Sequence, residues 1–192
     1  MPIIGITGHR FLAESGKLER AVDRALNRIL RFYPDSRPVA LSPLAEGADR
    51  LAVHRVLARD GAGLVAALPL PEEDYLTDFE SAESVAEFLN FLALADDVIE
   101  LPLAATRREA YEAVGRYVLD RCDVLIAIWD GQGDQGHGGT GSTVGEARRR
   151  GLPLAWVHAG NRVPGTLEAT SLGDEQGKVT YERFPRAHLR RV

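Results

Sequence analysis

Residues suited to binding an anion are concentrated between Trp129 and Gly151, where the sequence reads WDGQGDQGHGGTGSTVGEARRRG. A very apolar run ends at Asp130, a glycine-rich loop follows, and a helix is predicted to begin at Thr140. The N-terminus of a helix presents backbone N–H groups without intrahelical partners and the positive end of the helix dipole, a combination that binds phosphate. The alternative is that the glycines only form a surface loop. We expect ligand contacts from these residues of the segment: Asp130, Gly138, Gly139, Thr140, Gly141, Ser142 and Thr143.

A second candidate loop follows the first predicted strand, residues 3–7, and contains Gly8, His9 and Arg10. A glycine at position 8 permits a close approach between backbone and ligand. The planar guanidinium group of Arg10 is suited to binding a phosphate. The alternative for this loop is a tight turn with a solvated arginine.

A third candidate loop follows the predicted strand at residues 39–42 and reads Ser42-Pro-Leu-Ala-Glu-Gly-Ala-Asp49. Gly47 fits a turn that needs a positive φ or a close backbone approach. Glu46 and Asp49 are candidates for binding ribose hydroxyls, as acidic residues in doubly wound folds often do. Alternatively, Asp49 only stabilises the positive end of the next helix. Ser42 either donates to a phosphate or ends its strand.

Short β-branched runs alternate with longer helical stretches, which is typical of a parallel sheet with crossover helices. We therefore predict an α/β fold, a doubly wound, mainly parallel Rossmann-like sheet with helices on both faces. Residues 1–160 are expected to form this nucleotide-binding domain, and residues 161–192 a C-terminal extension packed on it. Such sheets bind ligands at the carboxyl ends of their strands, so the three loops are expected to share one crevice. Strands are predicted at 3–7, 39–42, 64–68, 97–101, 124–129, 154–158 and, in the extension, 178–182, and helices at 18–32, 48–59, 79–95, 107–121 and 143–150.

Two further features have competing interpretations. The acidic stretch at residues 72–80 is either the solvated start of a helix or a lid in which Tyr75 or Phe79 covers a base. Glu146, one turn inside the predicted helix, either faces the ligand as a catalytic carboxylate or pairs with Arg150 at i,i+4 spacing.

Composition and charge limit the classes of partner. The 192 residues are 45% hydrophobic and 27% charged, as in a globular protein, and the net charge of −5 argues against wrapping long nucleic acid. The single cysteine, Cys122, excludes an intrachain disulfide framework and a thiolate metal cluster, and the five histidines have no metal-type spacing. We expect a cytoplasmic protein without a membrane segment or a metal, and the charge permits a small phosphorylated ligand.

Three motifs in this chain resemble those of the LOG/Smf/DprA-like (SLOG) Rossmannoid superfamily. Gly5-Ile-Thr-Gly8-His-Arg10 is similar to the G-x-x-G-x-R signature at the first strand. The segment from Ser42 to Ala52 resembles the S-x-L-A-x-G-x-D-x-x-A segment of DNA-processing protein A. Gly138-Gly-Thr140, ahead of a helix that carries Glu146, resembles the glycine-threonine loop of the Lonely Guy (LOG) phosphoribohydrolases.

The resemblance implies a nucleotide-binding domain that acts as a sensor or carrier and forms a homodimer. It also leaves two alternatives, a phosphoribohydrolase that cleaves the N-glycosidic bond of a nucleoside 5′-monophosphate and a single-stranded DNA-binding protein. The hydrolase motif reads P-G-G-x-G-T-x-x-E, but this chain has His137 at the proline and Gly145 at the glutamate. Glu146 comes one residue late, and one residue rotates a helical side chain by about 100°.

Overall fold

The structure, a computed structural model, describes residues 1–133 and 139–184. Helices and strands alternate along these residues, as the hydrophobic pattern predicts. The strands are β1 Ile3–Gly8, β2 Val39–Ser42, β3 Gly63–Leu68, β4 Asp97–Glu100, β5 Val124–Trp129, β6 Leu154–His158 and β7 Val179–Glu182. The α-helices are α1 Ser15–Leu30, α2 Ala48–Leu57, α3 Glu72–Leu76, α4 Ala82–Leu94, α5 Arg107–Arg121 and α6 Thr140–Arg150, and Gly173–Glu175 form a 3-10 turn.

All strands belong to one seven-stranded sheet with the order β4-β3-β2-β1-β5-β6-β7. Every pairing is parallel except that of β6 with β7, which is antiparallel. The predicted doubly wound, mainly parallel α/β fold is therefore confirmed. The strand order reverses between β1 and β5, which makes the carboxyl ends of these two strands the topological switch point where open α/β sheets bind ligands.

The two faces of the sheet bury two separate hydrophobic clusters. Ile4 and Ile126 belong to the cluster that includes residues of α1, α2 and α4, whereas their neighbour Leu125 belongs to the cluster with α5 and α6. Successive side chains of a strand point to opposite faces, so a strand covered on both faces is apolar throughout. This explains why β5 is buried along its whole length.

The acidic stretch after β3 differs from its predicted form. A single helix was expected over residues 79–95, but the short helix α3 ends at Leu76 and α4 begins separately at Ala82. Tyr75 and Phe79, which are 1% and 9% exposed, turn inward and pack edge-on at a ring-centroid distance of 5.1 Å. Because both rings are buried in the core, the interpretation of either as a cover over a base is wrong.

The segment from 161 to 184 packs against the rest of the sheet through polar contacts. The buried side chain of Gln176 donates to the carbonyl of Ala13 and accepts from the N–H of Gly160, both at 2.9 Å. Arg24 on α1 donates to the carbonyl of Gly177 at 2.7 Å. These contacts join the segment to the β1–α1 loop and to α1. Across the described residues, no helix combines the length and the apolar character that crossing a membrane requires.

Candidate ligand-binding site

The ends of β1 and β5 meet through His9 and Asp130. The N–H of His9 donates to the carbonyl of Ile128 at 3.0 Å, and the N–H of Asp130 donates to His9 Nε2 at 3.1 Å. Burial lowers the pKa of His9, although the neighbouring Asp130 carboxylate, 3.2 Å from Nε2, opposes this effect. A neutral imidazole that accepts a backbone hydrogen bond therefore joins the two strand ends at the switch point.

Gly8 and Gly47 are required by the packing of the chain on itself. A Cβ atom at Gly8 would lie 2.4 Å from both the Ala48 Cβ and the Ile128 carbonyl oxygen. Gly47 has a φ of +81°, and a Cβ atom there would lie 2.2 Å from the carbonyl oxygen of Arg10. The close approach at both positions is made within the chain, between β1, β5 and the start of α2, and the approach of a ligand to Gly8 stays a prediction. It fixes the backbone that carries His9 and Arg10.

Ser42 and Asp49 lie beneath the crevice and hold the shape of the loop between β2 and α2. Their exposed fractions are 0% and 4%. The Ser42 Oγ accepts from the N–H of Leu44 at 3.0 Å, and the Asp49 carboxylate accepts from the N–H of Ala45 at 3.3 Å and from the Ser42 hydroxyl. Burial raises the pKa of Asp49 to about 7. Both side chains are engaged with their own loop, so ribose binding by Asp49 has no support in its contacts.

A residue in the first turn of α2 that the sequence analysis did not single out is Arg50. Its side chain is 3% exposed, and its Nε donates to the carbonyl of Leu44 at 3.0 Å. Its Nη1 donates to the carbonyl of Ser84 at 2.7 Å, and the guanidinium carbon lies 4.5 Å from the centre of the Phe79 ring. Arg50 therefore holds Leu44, which has a positive φ of 59°, against α4.

Arg10 extends from the β1 loop toward solvent, with 43% of its side chain exposed. Its Nη2 donates to Glu46 Oε2 and to the carbonyl of Asp78, both at 2.9 Å. Glu46 also accepts from the N–H of Glu80 at 3.3 Å and from the hydroxyl of Ser84. The structure thus brings two predicted ligand residues, Arg10 and Glu46, into direct contact at the rim of the crevice.

A space large enough for a small ligand opens beside Arg10. This cavity has a volume of about 620 Å³, lies between α1, α2 and α4, and is bordered by Arg10, Gly47 and Arg50. Binding sites for small molecules commonly measure ~300–1,000 Å³. Arg10, in the loop after β1, therefore lies at the edge of this cavity.

The N-terminus of α6 provides backbone donors near the same crevice. α6 begins after Gly139, no side chain of the described residues caps it, and its first turn has no acidic residue. Thr143 lies against α5, because a Cβ atom at Gly115 would be 3.1 Å from the Thr143 Oγ1. The first turn of α6 also contains the predicted contacts Thr140, Gly141 and Ser142, whereas Gly138 lies outside the described residues.

Glu146 is engaged in ion pairs on its own helix. Its carboxylate accepts from Arg150 Nε at 2.7 Å and from Arg149 Nε at 3.0 Å. Hydrogen bonds from Arg150 and Arg149 lower the pKa of Glu146. Arg150 also donates to Asp120 on α5. These contacts correspond to the ion-pair interpretation of Glu146 and leave its proposed catalytic role a prediction.

Sequence analysis did not assign Asp78, Arg107 or Tyr111 to the site. Arg107 and Tyr111 lie one turn apart at the start of α5 and both contact the Asp78 carboxylate. Their i,i+4 spacing indicates a common helix face. Nothing in the sequence connects that face with Asp78, because the pairing arises only when α5 packs against β1 and β3.

Within residues 1–133 and 139–184, no three His, Cys, Asp or Glu side chains are grouped as a metal site would require. The arrangement at the crevice instead offers backbone N–H groups, guanidinium groups and hydroxyl groups. When the chain is compared with known proteins, it matches neither a protein-family model nor a curated protein sequence.

Proposed function

We propose that this chain binds a nucleotide or nucleotide-derived phosphorylated ligand at the carboxyl ends of β1 and β5, as a sensor or carrier domain of the SLOG superfamily. The observation that carries the proposal is the N-terminus of α6, which no side chain of residues 1–133 or 139–184 caps, beside the strand-order reversal. Unpartnered N–H groups and the helix dipole both favour an anion there.

The proposed ligand contacts follow from which groups are accessible. The phosphate binds to the first turn of α6, with backbone N–H groups and hydroxyls from Thr140 to Thr143, and Arg10 supplies the positive charge. Glu46 is the acidic group more accessible to a ribose hydroxyl, since its side chain is 20% exposed whereas Asp49 is 4% exposed. Arg10 can exchange its exposed bond with Glu46 for a phosphate because exposed ion pairs contribute little to stability.

The first test is isothermal titration calorimetry with a panel of nucleoside mono- and diphosphates. We expect Arg10→Ala to weaken binding by about 10- to 100-fold, because a hydrogen bond to a charged group contributes roughly 1.5–3 kcal/mol. Arg108→Ala is the matched control, since Arg108 is also exposed and paired, with Glu112 on α5. If no nucleotide binds, or if both variants bind as the wild type does, the proposal is wrong.

The phosphoribohydrolase alternative depends on Glu146. Because its carboxylate is bonded to Arg149 and Arg150, we expect Glu146→Gln to change nucleotide affinity by less than about twofold. Chromatography of nucleoside monophosphates incubated with the wild type should show no released base. Base release that is present in the wild type and lost in Glu146→Gln would instead establish the hydrolase.

The proposal extends to a homodimer, which comes from the SLOG resemblance, and to a cytoplasmic location, which comes from the single cysteine of the sequence. Sedimentation of the purified chain over a range of concentrations tests the first of these. A single monomeric species throughout would remove the homodimer from the proposal and leave nucleotide binding intact.

A further inference from the structure

The turn between α3 and α4 places one carboxylate among three basic or phenolic side chains. Asp78 Oδ1 accepts from Arg107 Nη1 at 2.8 Å, and Asp78 Oδ2 accepts from the hydroxyl of Tyr111. The carbonyl of Asp78 accepts from Arg10 Nη2 at 2.9 Å. All three oxygens of Asp78 thus accept hydrogen bonds from side-chain groups that could equally donate to a phosphate.

The backbone that carries the two donors is fixed independently of Asp78, and Arg107 Nη2 also donates to the Thr77 hydroxyl at 3.1 Å and to the Asp74 carbonyl at 3.3 Å. Arg107 and Tyr111 lie on α5, whose N-terminus has a capping box formed by Thr106 and Glu109. Asp78 itself follows α3, in a short turn between the buried rings of Tyr75 and Phe79. The donor pair is therefore part of a stable helix, whereas its acceptor is part of a connecting turn.

The Asp78 contacts lie at the surface. The side chains of Arg107 and Asp78 are 46% and 19% exposed, and Arg10 is 43% exposed. Ion pairs with this exposure are readily exchanged for another anion. A phosphate group carries more charge than a carboxylate and can accept from several donors at once.

Arg107 and Tyr111 lie on the helix α5 that also packs against the first turn of α6. Tyr111 lies one helical turn before Gly115 on α5, and Gly115 is the residue that faces Thr143 of α6. Two anions, one at the start of α6 and one at Arg107 and Tyr111, would therefore lie along one face of α5, separated by roughly one to two helical turns of ~5.4 Å each. A nucleoside that carries phosphates on two different hydroxyls has charges separated on this scale.

We propose that Arg107 and Tyr111 form a second anion subsite, which Asp78 occupies in the free chain and from which a second phosphate group of the ligand displaces it. The inference rests on the proposed function and deepens it, because it identifies the ligand class as a nucleotide with two separate phosphate groups. Arg10 contacts both the turn and Glu46, so it connects the second subsite with the first.

The test compares nucleoside 5′-monophosphates with nucleoside 3′,5′-bisphosphates of adenine, guanine, cytosine and uracil by titration calorimetry. Asp78→Asn keeps the shape of the side chain and removes its charge. If Asp78 occupies the subsite about nine-tenths of the time, its removal raises the apparent affinity for a bisphosphate about tenfold. Monophosphate affinity should change less than twofold, and Arg107→Ala should weaken only the bisphosphate.

Asp74→Asn is the matched control, because Asp74 lies in the same segment but meets Arg107 only through its backbone carbonyl. It should leave both affinities unchanged. Equal or weaker bisphosphate binding by Asp78→Asn, with monophosphate binding intact, would overturn the second subsite and leave the proposed function standing. The absence of binding by any nucleotide to any variant would overturn both. Hydrogen exchange of residues 72–81 supplies an independent readout, since displacement of Asp78 by a bisphosphate should speed it and a monophosphate should not.

Discussion

Replacing Gly47 by alanine is expected to destabilise the folded chain by roughly 4 kcal/mol, the sum of about 3 kcal/mol for a steric clash that the surroundings cannot relieve and about 1 kcal/mol for backbone strain at a positive φ. The added Cβ atom would lie 2.2 Å from the Arg10 carbonyl oxygen and 2.6 Å from that of His9. Both neighbours are backbone atoms of the loop after β1, and the carbonyl of His9 is held by a hydrogen bond from the N–H of Ala48 on α2 at 3.0 Å. Urea denaturation followed by circular dichroism measures the loss.

Gly61 provides the matched control for this substitution. Its φ of +66° is close to the +81° of Gly47, but a Cβ atom there has nothing within 4 Å. Gly61→Ala should therefore cost only the backbone strain, about 1 kcal/mol. Equal losses in the two variants would show that φ alone decides the preference for glycine at position 47. A larger loss at Gly47 would establish the contact between β1 and α2 that holds Arg10 in place.

The second large effect concerns the buried carboxylate of Asp49. Burial raises its pKa from 3.8 to about 7, so the folded chain binds a proton that the unfolded chain releases between these values. The free energy of unfolding therefore falls as pH rises from about 4 to 7, by about 4 kcal/mol from this group. Asp49→Asn keeps an acceptor for the N–H of Ala45 and cannot ionise. Relative to the wild type, this variant should gain stability by that amount between pH 4 and pH 8.

Asp96 serves as a control of opposite sign. Hydrogen bonds from Arg37 lower the pKa of Asp96, which is exposed to solvent. The stability that Asp96 contributes is present at neutral pH and is lost as pH falls through its folded pKa. Asp96→Asn should thus be less stable than the wild type at pH 7, with the difference disappearing in acid. If the gap between Asp49→Asn and the wild type does not vary with pH, the Asp49 carboxylate is not buried as described.

The local pattern of the sequence was sufficient to predict the elements that carry the site. Strands at β2 and β5 and the helix at α5 have the predicted bounds, because their periodicity and flanking residues are local signals. The helix predicted at residues 79–95 begins later, at Ala82, since the side chain of Ser81 caps it by accepting from the N–H of Ser84 at 3.1 Å. The inward turn of Tyr75 and Phe79 depends on Phe88, with which both rings are in contact.

Some features of the candidate site could likewise be predicted from local sequence, and others depend on the tertiary structure. The glycine-rich segment before α6 and the guanidinium of Arg10 were identified from residue type and placement after strands. The burial of Asp49 could not be predicted from the sequence, because an acidic residue in a first helical turn is ordinarily exposed to solvent. The ion pair of Glu146 with Arg150 was one of two alternatives that the sequence allowed, and the structure contains this ion pair.

By itself, the sequence of this protein determined the doubly wound α/β fold and the order in which its loops follow its strands, because both depend on short-range hydrophobic periodicity. Only the tertiary structure shows why positions 8 and 47 require glycine. It alone also brings Asp78 into contact with Arg107 and Tyr111. These contacts join residues far apart in the chain, and they depend on how closely helices approach the sheet. That spacing is set by the packing of the whole core, which no local stretch of sequence encodes.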